Sequence, residues 1–227
     1  MSRASSGLAA LATALAVIVG GGVLVAAQSP SPSPQAEAKP EAENVQSLEG
    51  LEVATFASGC FWCTEADFDK VDGVKQTISG YMGGDTENPT YATVSTGDTG
   101  HAEALQVTYD PKVVSYDKLL DHYWRTTDVV DGGGQFCDRG SQYRPVIFVA
   151  TPEQRKLAEA SKAELEKSGR FDQPIAVEIA DAGPFTPAED YHQNYYKTHA
   201  LQYRYYRHAC GRDARLKQLW GSAAATH

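Results

Sequence analysis

Two cysteines and two large aromatic residues lie together in the stretch SGCFWCTE, residues 58–65. Cys60 and Cys63 have the Cys-x-x-Cys spacing that proteins use for redox exchange or for metal binding. Phe61 and Trp62 occupy the two positions between the cysteines. Such large aromatic residues are unusual there both in redox motifs and in metal sites. An apolar pair beside a reactive sulfur indicates a pocket that holds an apolar group.

The arrangement of the four cysteines favours a redox role over a metal site. A zinc ribbon needs two ligand pairs, whereas Cys137 and Cys210 each stand alone, so we expect no metal. The pattern strand, Cys-x-x-Cys, helix is typical of a thioredoxin-type dithiol. Backbone N–H groups and the dipole at the start of the helix favour a thiolate, so we expect a lowered pKa at Cys60 and make it the nucleophile. Two structural disulfides in a stapled binding domain are an alternative.

The first 50 residues are predicted to lie outside the folded domain. Arg3 and the uncharged run 8–27 are typical of a cleaved export signal or an uncleaved membrane anchor within residues 1–27. Residues 28–50 are rich in Pro, Ser, Ala and Glu and are predicted to form a linker. We expect one domain over 51–221 and a disordered tail over 222–227. The protein is therefore expected to be exported, in the bacterial periplasm.

The composition limits the partners. The formal net charge is −9 and no basic stripe occurs, which argues against nucleic acid as a ligand.

The sequence predicts an α+β fold for this domain. The residue patterns predict strands at 51–58, 74–84, 103–110, 145–150 and 174–180, and helices at 60–70, 115–125 and 152–169. Their inner β-α-β-β-α-β order allows a split βαβ, ferredoxin-like two-layer core. After residue 181 the chain is tyrosine-rich, and we expect a long irregular segment there.

Four motifs in register resemble one family. They are GCFW at 59–62, NPTY at 88–91, GDTGHAE at 97–103 and DRGSQYR at 138–144. Together they make residues 55–220 similar to peptide methionine sulfoxide reductase of the A type. The resemblance implies reduction of the S epimer of methionine sulfoxide, free or in proteins, for the repair of oxidised proteins.

The resemblance also assigns roles to residues. Cys60 is the nucleophile, Phe61 and Trp62 form the seat for the substrate methyl group, and Glu103 is the acid that protonates the sulfoxide oxygen. For that role the pKa of Glu103 must be raised by a poorly solvated pocket. The resemblance further implies phenol donors to the same oxygen and an aspartate that binds the substrate backbone: Tyr91, Tyr143 and Asp138. The segment 187–196 matches loosely, and we prefer a surface helix there for Glu189 and His192.

Reduction of a sulfoxide leaves a sulfenic acid on Cys60, which a second thiol must resolve. Cys63 is one helical turn away and is favoured, Cys210 is the alternative, and Cys137 ranks last. We expect no bound cofactor, a thioredoxin-like dithiol as the external reductant, and a monomer, with a possible membrane tether through 8–27. The runner-up function is a thiol–disulfide oxidoreductase that uses Cys60 and Cys63.

Overall fold

A computed structural model describes residues 49–225 of the chain. Its strands are β1 (Glu52–Ser58), β2 (Val74–Met82), β3 (Ala102–Tyr109), β4 (Gly134–Gln135), β5 (Asp138–Arg139), β6 (Pro145–Val149), β7 (Glu178–Asp181) and β8 (Thr186–Pro187). Its helices are α1 (Phe61–Phe68), α2 (Tyr91–Val94), α3 (Tyr116–Thr126), α4 (Pro152–Lys167), α5 (Tyr195–Thr198), α6 (Ala200–Ala209) and α7 (Arg212–Trp220).

One six-stranded sheet forms the centre, in the order β7-β6-β1-β3-β2-β8. β1 pairs antiparallel with both β3 and β6, β3 pairs antiparallel with β2, and β6 pairs parallel with β7. The predicted mixture of helices and a central sheet is confirmed. β4 and β5 form a separate short hairpin.

An aromatic stack joins the sheet to two helices. Phe56 of β1 lies 4.9 Å from Phe68 of α1 and 5.3 Å from Tyr123 of α3, measured between ring centroids. All three rings are buried, and the Tyr123 hydroxyl donates to the carbonyl of Ala57. Burial of apolar side chains of this size stabilises the fold by roughly 1.5–3 kcal/mol each. This stack holds α3 and the last residue of α1, Phe68, against β1.

The C-terminal segment is helical, so the expectation of an irregular segment is wrong. α6 buries Tyr203 and Arg207, and α7 buries Arg212, Leu216 and Trp220. The buried face of each helix includes an arginine, Arg207 in α6 and Arg212 in α7. Because these residues are charged, the sequence lacks the apolar periodicity that predicts a buried helix face.

Two predicted boundaries also need correction. β7 spans only Glu178–Asp181, and the Ala176 N–H just before it donates to the Val129 carbonyl, outside the sheet. A 3₁₀ turn, Gly221–Ala223, extends into the predicted disordered tail 222–227, and the Ala223 carbonyl accepts a hydrogen bond from Arg125.

The predicted signal or anchor and almost all of the linker lie outside the described residues. Among residues 49–225, no helix combines the length and apolar character needed to cross a bilayer.

Candidate active site

A glycine turn delivers Cys60 to the start of α1. Gly59 follows the last residue of β1 and has φ +84°, a conformation that favours glycine. A Cβ on Gly59 would lie 2.5 Å from Cβ of Gln135, so only glycine fits here. Cys60 is the N-cap residue, and its carbonyl accepts the N–H groups of Cys63 and Thr64.

Glu103 lies against the N-terminus of the same helix. Its side chain projects from β3, the residue is 3% exposed, and Oε2 accepts the backbone N–H of Phe61 at 2.9 Å. Burial raises the pKa of Glu103 to about 8, with smaller raising contributions from Asp138 and Cys63, against the opposing hydrogen bond from Phe61. The carboxyl group is therefore protonated at neutral pH, as the acid role requires.

Cys60 and Cys63 are both free thiols and both buried, 6% and 2% exposed. Burial raises the pKa of Cys60, and the hydrogen bond with Cys63 and the charges of Glu103 and Asp138 raise it further. The expectation of a lowered pKa at Cys60 is thus wrong for the protein without substrate. The N–H of Phe61, which opens the helix, is bonded to Glu103, and the nearby charges are negative.

The pKa of Cys63 shifts in the opposite direction from that of Cys60. The hydrogen bond from Cys60 lowers the pKa of Cys63, and Arg212 and Arg207 lower it too, against the opposing effect of burial. Asp67 links these two cations: its Oδ1 accepts from Arg207 at 2.8 Å, and its Oδ2 lies 3.5 Å from Arg212.

Phe61 and Trp62, the predicted seat for the substrate methyl group, pack against other aromatic rings. Phe61 is buried, with its ring centroid 5.0 Å from that of His192. Trp62 is half-buried, stacks on Tyr195 at 3.8 Å and meets the ring of Tyr206 edge-on at 5.9 Å. Its Nε1–H donates to Nδ1 of His192. Trp62 therefore presents a ring with fixed orientation beside the thiols.

The segment 187–196 contributes more than its loose motif match indicated. Glu189 accepts the backbone N–H of Tyr91 through Oε1 and the hydroxyl of Tyr81 through Oε2, both at 2.9 Å. His192 is buried and its ring lies 4.4 Å from that of Tyr91. The surface-helix interpretation is wrong for His192, because the Trp62 N–H and three aromatic rings enclose it.

Glu65 of α1 and Asp69, which follows the last residue of α1, hold the segment that covers Trp62. Glu65 is fully buried, and its Oε1 accepts the backbone N–H of Asn194, while its Oε2 has no hydrogen-bond partner among residues 49–225. Burial raises the pKa of Glu65 to about 7. Asp69 accepts from the Tyr196 hydroxyl and from Lys197. Tyr195 lies between these anchors.

Tyr91 and Tyr143 both interact electrostatically with Cys60 and Glu103. Tyr91 is the first residue of α2, which Thr90 caps through its side chain. Burial raises the pKa of both phenols, and the charges of Glu103 and Cys60 raise both further. Each phenol thus remains a hydrogen-bond donor at neutral pH.

Asp138 is linked to α6 by a residue that the sequence did not indicate. The hydroxyl of Tyr206 donates to Oδ2 of Asp138 in a short hydrogen bond. Burial raises the pKa of Asp138, and this hydrogen bond and the charge of Arg212 oppose the shift. Tyr206 is one of 12 tyrosines, and no local signal separates it from the exposed Tyr205 next to it.

The two cysteines that stand alone in the sequence are bonded to each other. Cys137 and Cys210 form a disulfide with a Cα–Cα distance of 5.0 Å across 73 residues of chain. Cys210, the alternative resolving thiol, therefore has its sulfur engaged with Cys137. With Asp138 these residues place three potential metal-ligand atoms within 4.8 Å, but the two sulfurs are bonded to each other rather than free as thiolates.

Arg212 is a further residue that sequence reasoning missed. It is buried and donates to the Ser58 carbonyl at 3.1 Å and to the Thr126 carbonyl at 2.8 Å. Its guanidinium also lies over the ring of Phe136 at 4.4 Å. Arg212 thus ties α7 to the end of β1, two residues before Cys60.

The arrangement joins a buried dithiol, a protonated acid and an apolar seat in one site. A sulfur nucleophile, a proton donor and a fixed aromatic surface are the groups needed to remove oxygen from a small sulfur compound.

The comparisons with known proteins agree with this chemistry. The family model for peptide methionine sulfoxide reductase matches residues 52–224. The chain is 54% identical to peptide methionine sulfoxide reductase MsrA of Bacillus licheniformis over 173 residues, covering 76% of this chain and 96% of the relative. The enzyme of the same name from Listeria monocytogenes is also 54% identical, covering 76% and 97%.

Solved structures give the same result. Methionine sulfoxide reductase A of Corynebacterium diphtheriae superposes with a TM-score of 0.59 at 34% identity, covering 67% of this chain and 76% of that chain. Reduced Mxr1 from Saccharomyces cerevisiae gives 0.63 at 32% identity, covering 67% and 87%. From its motifs, its site and these relatives, the chain belongs to the peptide methionine sulfoxide reductase family.

Proposed function

We propose that this protein reduces the S epimer of methionine sulfoxide, free and within oxidised proteins, to methionine. One observation carries the proposal: the protonated Glu103 is held at the start of the helix that presents Cys60. The Cys60 sulfur attacks the sulfoxide sulfur while Glu103 donates a proton to the oxygen. The sulfur of the substrate gains two electrons and leaves as a thioether, and Cys60 becomes a sulfenic acid.

The surrounding residues have separate tasks in this step. Phe61 and Trp62 hold the methyl group, Tyr91 and Tyr143 donate to the oxygen, and Asp138 binds the polar backbone of the substrate. The fixed ring of Trp62, held by His192 and Tyr195, supports the role as a seat.

Cys63 resolves the sulfenic acid. Its sulfur attacks Cys60, the Cys60–Cys63 disulfide forms and water leaves. Support comes from the two free thiols, which hydrogen bond to each other across the first turn of α1. An external thioredoxin-like dithiol then supplies two electrons and two protons, and no bound cofactor is needed.

Three further assignments belong to this proposal. We assign the core to the split βαβ class, supported by β3 lying between β1 and β2 and antiparallel to both. We place the catalytic domain at 51–221. We also propose export to the periplasm, on the basis of Arg3 and the apolar run 8–27; fractionation of cells that produce the full chain tests the location. We further propose that the protein is a monomer, which its mass in solution tests.

The test of the reaction is a single-turnover assay on the separated S and R epimers. The reduced wild-type protein should form methionine from the S epimer only. The Cys60→Ser variant should form none, and the Cys63→Ser variant should still complete the first reduction. Product from Cys60→Ser would remove Cys60 from the mechanism, and reduction of insulin disulfides without sulfoxide reduction would favour the thiol–disulfide oxidoreductase.

The resolving step is tested by peptide mapping in a Cys137→Ser/Cys210→Ser background, where a Cys60–Cys63 bond has no other internal thiol to react with. Finding Cys60 still as a sulfenic acid after one turnover would show that Cys63 does not resolve it.

A further inference from the structure

We propose that Tyr191 forms a subsite beside the seat for the methyl group, and that this subsite binds an apolar side chain next to the oxidised methionine of a polypeptide substrate. This inference rests on the proposed function and adds a preference among substrates. Oxidised methionines with apolar neighbours are reduced faster than those with small or polar neighbours.

Tyr191 is an exposed aromatic residue at the edge of the site. Five large hydrophobic residues are exposed in the described part of the chain: Val53, Val113, Tyr191, Leu201 and Tyr205. The ring of Tyr191, which is 58% exposed, lies 4.2 Å from that of the buried His192, measured between centroids. Tyr191 also interacts electrostatically with Tyr91. Exposed apolar surface that continues a ligand site is typical of a further contact with the ligand.

His192 connects Tyr191 to the seat for the methyl group. Its ring lies 5.0 Å from that of Phe61, and its Nδ1 accepts the Nε1–H of Trp62. The rings of Tyr191 and Phe61 therefore contact the same side chain. Consecutive Cα atoms of a polypeptide are about 3.8 Å apart, so a residue next to the oxidised methionine can reach Tyr191 while the methyl group occupies the seat.

The turn that carries Tyr191 is fixed on both sides. Tyr191 is the middle residue of a 3₁₀ turn, Asp190–His192. After the turn, the Gln193 side chain pairs with the backbone of Ser79 in β2: Oε1 accepts the N–H and Nε2 donates to the carbonyl, both at 2.9 Å. Before the turn, the Glu189 carboxylate accepts two hydrogen bonds. Binding to a turn held in this way costs little conformational entropy.

The chemistry of the substrate matches an apolar subsite. Methionine is among the residues most often fully buried in proteins, so its neighbours in the chain include other core residues. Oxidation makes the side chain polar and disrupts the packing of the core. A segment that becomes accessible after this disruption presents apolar side chains on either side of the sulfoxide, and an exposed aromatic ring binds such groups.

The test compares three substrates that share the S-sulfoxide. They are N-acetyl methionine sulfoxide and two capped tripeptides, with glycine or phenylalanine on both sides of the oxidised methionine. With dithiothreitol as reductant, kcat/KM of the wild type should be roughly threefold to tenfold higher for the phenylalanine peptide than for the glycine peptide, as one aromatic contact predicts. Tyr191→Ala should lose this preference, and Tyr191→Phe, which keeps the ring, should retain it.

Tyr205→Ala is the matched control, because Tyr205 is 78% exposed, and it should retain the preference. Equal kcat/KM values of the wild type for the two peptides would overturn the subsite. An equal fall for both peptides in Tyr191→Ala would show that Tyr191 only supports His192, and this too would overturn it. A wild-type protein that reduces none of the three substrates would instead contradict the proposed function.

Discussion

The backbone N–H of Phe61 donates to Oε2 of Glu103 across 2.9 Å, and this bond joins the start of α1 to the second residue of β3. The bond gives the first N–H of the helix to the acid rather than to the Cys60 thiol. It opposes, but does not cancel, the rise in the pKa of Glu103 that burial causes.

The first prediction concerns Glu103→Gln. Glutamine keeps the acceptor for Phe61 but has no acidic proton, so kcat should fall roughly 10²–10⁴-fold while KM changes little. Because Glu103 must be protonated and its pKa is about 8, kcat/KM of the wild type should fall as the pH rises through about 8. Steady-state kinetics from pH 6 to 10 measure both effects.

The exposed Glu166 provides a matched control, since Glu166→Gln should leave both parameters unchanged. A rise in KM with unchanged kcat in Glu103→Gln would show that Glu103 binds the substrate rather than protonating it.

The second prediction compares two adjacent tyrosines. Tyr206→Phe removes the donor to Asp138, a hydrogen bond to a charged group worth roughly 1.5–3 kcal/mol. If substrate binding depends on this bond, KM should rise roughly tenfold to a hundredfold. The loss also raises the pKa of Asp138, so the increase should be larger at low pH. Tyr205→Phe, at a position 78% exposed, is the control. Equal KM values in both variants would show that Asp138 needs no donor.

The third prediction concerns the buried cation Arg212. Arg212→Met leaves the buried carbonyls of Ser58 and Thr126 without their donor and weakens the charge balance at Asp67. Breaking a buried charged network costs about 3–5 kcal/mol, so the urea midpoint should fall strongly at an unchanged m value. Arg204→Met on the exposed side of α6 should change it little. A midpoint equal to that of the wild type would contradict the role of Arg212.

The fourth prediction uses the titration of Glu65. The ordinary pKa of 4.5 applies to the unfolded chain, and the folded value is about 7. Between these values the folded state binds more protons, so Glu65 makes the protein less stable as the pH rises from about 4.5 to 7. Compared with Glu65→Gln, the wild type should lose on the order of 2 kcal/mol of unfolding free energy over this interval. Parallel pH dependences in the two proteins would show that Glu65 does not titrate there.

Local residue patterns were enough to predict the elements around Cys60, and the four motifs were enough to indicate the family. Alternation and helical spacing are local patterns, and they located β1, α1, β2, β3, α3 and α4 within a few residues of their observed bounds. The motif residues Cys60, Phe61, Trp62 and Glu103 are close in sequence to the ends of those elements. Their proximity in space follows once the strands pair.

The surroundings of these residues depend on how distant parts of the chain pack together. Three features depend on where α6 and α7 pack: the partner of Cys137, the bond from Tyr206 to Asp138 and the buried position of Arg212. They arise because these helices and the turn between them lie against the β4–β5 hairpin, the end of β1 and α3. No local pattern marks one tyrosine or arginine among many as buried. The direction of the pKa shift at Cys60 also depends on tertiary packing: the helix end favours a thiolate, but burial outweighs it, and the adjacent Cys63 and the charges of Glu103 and Asp138 raise the pKa further.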